Sequence, residues 1–148
     1  MSGIRFQVLT FVGVLALASL SAAQGKPQTF KGLQMTVTAV ERAEKASLRD
    51  CPPGTNTVNA VAREGEQYSL VTVAFKVPSG FQPGSLGVMK RASVVAADGK
   101  TFNTSVQFVD VGSVPEYSCT FPFRVPLGTK LKSLQIETAS FDLTPLDK

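Results

Sequence analysis

Apolar and polar residues alternate with a period of two along much of this chain, the pattern of strands with one buried face. Over residues 33–40, Leu33, Met35, Val37 and Ala39 share one parity, with Gln34, Thr36 and Thr38 between them. Thr and Val also suit the pleated, half-buried surface of a sheet. Residues 68–77 carry Val71, Val73, Phe75 and Val77 on one parity and Leu70 and Ala74 on the other, which predicts a central strand. Residues 92–97 and 100–102 flank Asp98-Gly99, a pair that predicts a tight type I′ hairpin with both central residues at positive φ. Residues 106–111 read as a short strand and residues 117–125 as another, in which Cys119, Phe121, Phe123 and Val125 alternate with Thr120, Pro122 and Arg124. Pro122 cannot donate to a ladder, so its segment is expected at a sheet edge or with that position turned away from a neighbour. Leu134 with Ile136, and Phe141 with Leu143, mark the last two strands.

Between these segments the pattern breaks. Residues 41–46, Glu-Arg-Ala-Glu-Lys-Ala, predict a short helical turn, ended by Cys51-Pro52-Pro53-Gly54. From there to Gly65 a long polar connection is expected, and residues 24–29, polar and containing Pro27, are expected as a loose tail. Turn-forming residues crowd positions 78–84 and 126–129. The result is about seven strands, with no helix of three turns and no regular exchange of strand and helix. A sheet with one apolar face must cover it, and no amphipathic helix is available to do so. The expected fold is therefore all-β, two antiparallel sheets packed face to face in one domain over residues 24–148, with a closed barrel as the alternative.

Residues 1–23 read as a secretory signal peptide: Arg5 supplies the positive charge, residues 6–20 are mostly apolar, and Ser21-Ala22-Ala23 offers small residues for cleavage. The uninterrupted apolar run, residues 11–18, is far shorter than the roughly 20 residues of a membrane-crossing helix, so cleavage before Gln24 is expected over retention as an anchor. Gln24-Gly25 stands where a lipoprotein would place a cysteine, and no lipid anchor is expected. The expected address is secreted or periplasmic.

What remains is enough for one core that buries roughly two-thirds of the surface of the unfolded chain. The sequence has 15 Lys and Arg against 11 Asp and Glu, a net +4, and the basic residues are scattered, so nucleic acid is not an expected partner. Cys51 and Cys119 are the only cysteines, and in an exported chain that count permits a single bridge. A structural disulfide is the expected state. Two free thiols in a redox or metal role are the alternative, although there is no C-x-x-C pair and no histidine to complete such a site.

Three segments in order, the strand at 68–77, the stretch Val94-Val95-Ala96-Ala97-Asp98-Gly99-Lys100-Thr101-Phe102, and Phe123-Arg124-Val125-Pro126-Leu127-Gly128-Thr129-Lys130 leading to Leu134, resemble the exported bacterial domains of the DUF4352 type. The resemblance spans residues 33–143 and implies a telokin-like, immunoglobulin-like sandwich that serves as an extracytoplasmic binding or interaction module. Pro78 stands where such domains often carry Asn, and the upstream lipoprotein cysteine is missing. The resemblance supplies no catalytic residues.

The absence of histidine removes Ser-His-Asp and Cys-His triads, the usual catalytic zinc sets, blue-copper ligation and the commonest general base at neutral pH. Paired carboxylates remain formally able to do acid/base work, but Glu64, Glu66, Asp98, Asp110, Glu116, Glu137, Asp142 and Asp147 are expected mostly at turns or on solvent-facing positions. No D-x-D-x-D run and no P-loop is present, so no metal, cofactor or catalytic residue is assigned. Asn103-Thr104-Ser105 matches a glycosylation sequon, which matters only in a eukaryotic secretory pathway. The candidate contact surface is Phe81, Leu86, Val88 and Met89, an apolar cluster inside a Pro/Gly-rich loop. The expected function is non-catalytic binding of another protein or an envelope component. A small-ligand carrier is the first alternative. A hydrolase working without histidine is the second, with Lys76 or Lys130 buried as an activated base.

Overall fold

The computed structural model describes residues 24–148, and the leader read at 1–23 lies outside the described residues. Among the described residues ten strands follow in order. They are β1 (Gln28–Phe30), β2 (Leu33–Ala43), β3 (Lys45–Leu48), β4 (Val58–Val61), β5 (Glu66–Lys76), β6 (Ser93–Ala96), β7 (Thr101–Asn103), β8 (Glu116–Pro126), β9 (Leu131–Ile136) and β10 (Ala139–Asp142). One four-stranded antiparallel sheet has the order β1-β2-β5-β8 and a second has the order β10-β9-β6-β7, while β3 and β4 pair as a separate hairpin. The architecture is an all-β sandwich, as the alternation predicts. Among the described residues no helix is long and apolar enough to cross a membrane.

The inward faces follow from strand parity. Leu33, Met35 and Val37 of β2, Val71, Val73 and Phe75 of β5, and Phe121, Phe123 and Val125 of β8 meet Val94, Leu131, Leu134, Ile136 and Phe141 of the second sheet in one buried cluster. Each such side chain taken wholly out of water contributes about 1.5–3 kcal/mol. β5 is central, paired with β2 on one side and β8 on the other, and its second apolar parity, Leu70 and Ala74, lies half-buried on the outer face of the sheet. β8 lies at the edge of its sheet, as Pro122 requires, and the Thr104 hydroxyl donates to the Pro122 carbonyl at 2.9 Å.

A bulge in β2 changes the count. Val37 pairs with Val73 but Ala39 pairs with Thr72, so Thr38 is an extra residue, and Val40 and Arg42 rather than Ala39 and Glu41 come to face inward. Arg42 then lies opposite the fully buried Ser69 and forms an ion pair with Asp147. Its Nη2 also donates to the Thr129 carbonyl at 3.0 Å, and Asp147 Oδ2 accepts the Leu131 N–H at 2.6 Å. Asp147, expected at a turn or solvent-facing position, has a side chain only 3% exposed and ties the C-terminal segment to both sheets.

Other expectations need correction. Residues 41–46 are not a helical turn: 41–43 complete β2, paired with β5, Glu44 is a bend, and 45–46 begin β3, because pairing along a neighbouring strand outweighs weak local helix preference. The polar connection before Gly65 contains β4. Residues 24–29 are not loose, since β1 pairs with β2 and the Gly25 N–H donates to the Val37 carbonyl at 3.0 Å. Residues 106–111 form no strand; Phe108 instead makes a single parallel bridge with Cys51. At Asp98-Gly99 only Gly99 takes positive φ, 88°, and its N–H donates to the Ala96 carbonyl, giving a longer loop than the two-residue type I′ turn.

Phe75 anchors one end of the core, stacked on Tyr117 with ring centroids 5.0 Å apart and set edge-on to Phe121 at 6.4 Å. The Tyr117 hydroxyl donates to the Val111 carbonyl at 2.7 Å, and burial pushes its pKa well above the ordinary 10.0. The folded state therefore holds this proton more tightly than the unfolded chain. Stability is fully present below about pH 10 and is lost as pH rises further through the alkaline range. Denaturant melts of the wild type are expected to show this alkaline decline. In Tyr117→Phe the decline should flatten, and an equally steep decline there would remove Tyr117 as its source.

Candidate functional site

The loop that carries the sequence-predicted contact surface folds back onto the sandwich. Leu86 is 4% exposed and Met89 is 7% exposed, both within the core cluster, and Phe81 packs against that cluster. Of the four residues only Val88 is free, fully exposed. Phe81, Leu86 and Met89 therefore act as anchors of the loop, and the apolar surface read there is an inward one. Gly112 makes the docking possible: a Cβ at this position would lie 2.7 Å from Phe81 Cε1 and 2.9 Å from Pro83 Cα. Gly112→Ala is expected to cost about 1–3 kcal/mol through this overlap. A thermal midpoint equal to the wild type would show that the loop yields without cost.

Cys51 and Cys119 form the expected disulfide, with Cα atoms 5.6 Å apart, and both are buried. The bond joins the segment after β3 to β8. Around it the Cys51 N–H donates to the Gln107 carbonyl at 2.9 Å and its carbonyl accepts the Val109 N–H at 2.8 Å. The chain leaving β3 is thus held at the edge of the first sheet, and the β3–β4 hairpin is left standing over the outer face of that sheet.

Between the hairpin and the sheet lies an open cleft of about 490 Å³, within the size range of ligand sites. Its floor is the outward face of the sheet, Leu70 of β5 with Ser118 and Thr120 of β8, and one wall is β3. Thr120 is fixed by a 3.0 Å hydroxyl contact with Thr72. Glu41, Lys45, Arg49 and Asp50 also line the cleft. Among the described residues none of these four charges has an ion-pair partner within 4.0 Å, so both signs are presented to whatever enters.

Neither the cleft nor its charges were legible in the sequence. Glu41 and Lys45 sit in the segment read as a helical turn, and Arg49 and Asp50 just before the Cys51-Pro52-Pro53-Gly54 stop that ends it. Their convergence depends on a bulge and a hairpin that periodicity does not report. Of the other carboxylates, Glu66 pairs with Arg124 at 3.4 Å, Asp98 with Lys100 at 3.8 Å, and Glu137 accepts the Lys90 N–H. The Asp142 carboxylate accepts the Thr144 N–H at 2.9 Å, which holds its pKa below the ordinary carboxylate value. Lys76 and Lys130 are exposed, so neither has the burial that an activated lysine requires. The space between the sheets is filled by the buried cluster, and a carrier would have to use surface clefts.

No protein-family model matches the chain, and no curated protein sequence does either. An uncharacterized β-sandwich protein from Clostridium difficile 630 is similar in structure, with a TM-score of 0.48 at 12% sequence identity over 80% of this chain and 89% of that one.

Proposed function

We propose that this chain is an exported, non-catalytic binding module of the cell envelope or extracellular space, of the kind implied by its resemblance to DUF4352-type domains, and that it binds through the cleft beneath the β3–β4 hairpin. The observation that carries this reading is the cleft itself: unpaired charges of both signs above a floor of Leu70, Ser118 and Thr120. Such a lining offers several polar contacts and one apolar seat, which suits recognition. A buried disulfide supports the exported address, because such bonds persist in oxidising compartments.

The test is capture from an extract of the source cell's envelope by the immobilised, disulfide-bonded protein, set against a Thr120→Trp variant whose indole fills the floor. Thr120 is exposed on β8, so the fold is expected to accept the larger ring. The wild type should retain proteins that the variant does not. Retention of one and the same set by the wild type and an unrelated β-sandwich overturns the binding reading.

A further inference from the structure

The hydrogen-bond register of the β3–β4 hairpin fixes which way its backbone groups point. The Ala62 N–H donates to the Glu44 carbonyl at 2.8 Å, and the strands pair Lys45 with Val61, Ala46 with Ala60, Ser47 with Asn59 and Leu48 with Val58. In an antiparallel pair, directly opposed residues alternate between exchanging hydrogen bonds and exchanging none. Since 44 and 62 exchange one, so do Ala46 with Ala60 and Leu48 with Val58, while Lys45 and Ser47 turn their N–H and carbonyl groups away from β4. Among the described residues no strand pairs with β3 on that side, and the cleft is lined by Lys45, Ala46 and Ser47 but by no residue of β4. The free edge of β3 is therefore the wall of the cleft.

We infer that this edge is a strand-addition site, at which an extended peptide segment of a partner protein pairs with Lys45 and Ser47 and lies along the cleft. This rests on the binding reading above and adds the place and the class of partner. An alternating row of unpartnered N–H and carbonyl groups is the complement of an extended main chain. β3 spans about 13 Å at the rise of a strand, the length of about four peptide residues. Leu70 on the floor seats one aliphatic side chain of the added strand, and Ser118 and Thr120 beside it take polar ones. Lys45 and Arg49 stand at opposite ends of β3, with the carboxylates Glu41 and Asp50 in the same cleft. Peptide ends or flanking charges of either sign find a partner, so the site selects extended backbone rather than net charge. A second folded copy of this chain fits less well, because the edge stands over the outer face of its own sheet, where a single extended chain meets less obstruction than a folded domain.

The test uses amide hydrogen exchange and the peptide acetyl-Thr-Val-Thr-Val-Thr-amide as probe. In the free protein, Lys45 and Ser47 amides are expected to exchange rapidly while those of Ala46 and Leu48 are protected. Adding the peptide should protect Lys45 and Ser47. Methylating alternate peptide nitrogens should abolish binding in one phase and spare it in the other, since only one set faces β3. Ser47→Pro removes an N–H that β4 does not use, so the fold should persist while affinity for the peptide falls about tenfold or more. The proposal is overturned by Ser47 protection in the free protein, as a second copy on the edge would produce. It is equally overturned by no protection at millimolar peptide, or by equal binding of both methylated phases, a readout independent of whether Ser47→Pro folds. Continued envelope capture with no peptide binding would overturn the edge and leave the binding reading standing.

Discussion

Replacing Cys51 and Cys119 together by Ala is expected to lower stability by about 4 kcal/mol and the thermal midpoint by roughly 10–20 °C, while the β signature in circular dichroism is kept at low temperature. The magnitude follows from the sequence separation of 68 residues, since a link across so long a stretch removes much of the freedom of the unfolded chain. Little opposes it in the folded state, where both side chains are buried among apolar neighbours. The loss should be felt locally as well. Cys51 holds the chain leaving β3 against Gln107 and Val109, so the variant is expected to exchange its Ala46 and Leu48 amides faster than the wild type. An unchanged melting midpoint would take the bridge out of the account of stability.

Asp147→Ala should cost about 3 kcal/mol. The substitution leaves the Arg42 guanidinium, on a side chain only 26% exposed, without its counter-charge, and the Leu131 N–H without its acceptor. Removing one member of a largely buried pair costs more than the pair adds, because the survivor's charge stays desolvated. Asp147→Asn, which keeps an acceptor oxygen but no charge, should fall between. The double variant Arg42→Met with Asp147→Leu should recover most of the loss, since apolar groups of similar size need no partner there. Urea midpoints at constant slope measure all three. A loss under 1 kcal/mol for Asp147→Ala would mean that the C-terminal segment is held by Leu143 and Leu146 alone.

The strands that could be read directly are those whose side chains alternate cleanly against the core. β5, β8 and β9 stand where Val71, Phe121 and Leu134 place them, and Pro122 correctly marks an edge. The misreadings share one cause, pairing partners that are distant in sequence. Residues 45–48 and 58–61 are strands because each is the other's neighbour, and neither is apolar enough to announce itself. Residues 106–111 look like a strand by composition, yet their backbone is spent on Cys51 and the turn at Asp110. By composition the Phe81 loop reads as a contact surface. Whether an apolar loop points outward or inward depends on what it meets, and Gly112 gives it somewhere to go. The cleft gathers residues from β2, β3, β5 and β8, and no single window of sequence contains it.

The extra residue in β2 also sets how that strand tolerates changes of length. Deleting Thr38 would heal the bulge and leave Val40, Glu41 and Arg42 on the sides they now occupy, because the register beyond it already skips one position. Inserting a residue between Ala39 and Glu41 has no such slack: it would turn Arg42 to solvent and carry Glu41 toward Asp147, setting two like charges together in the interior. Across related chains, shortening at this point should be common and lengthening rare.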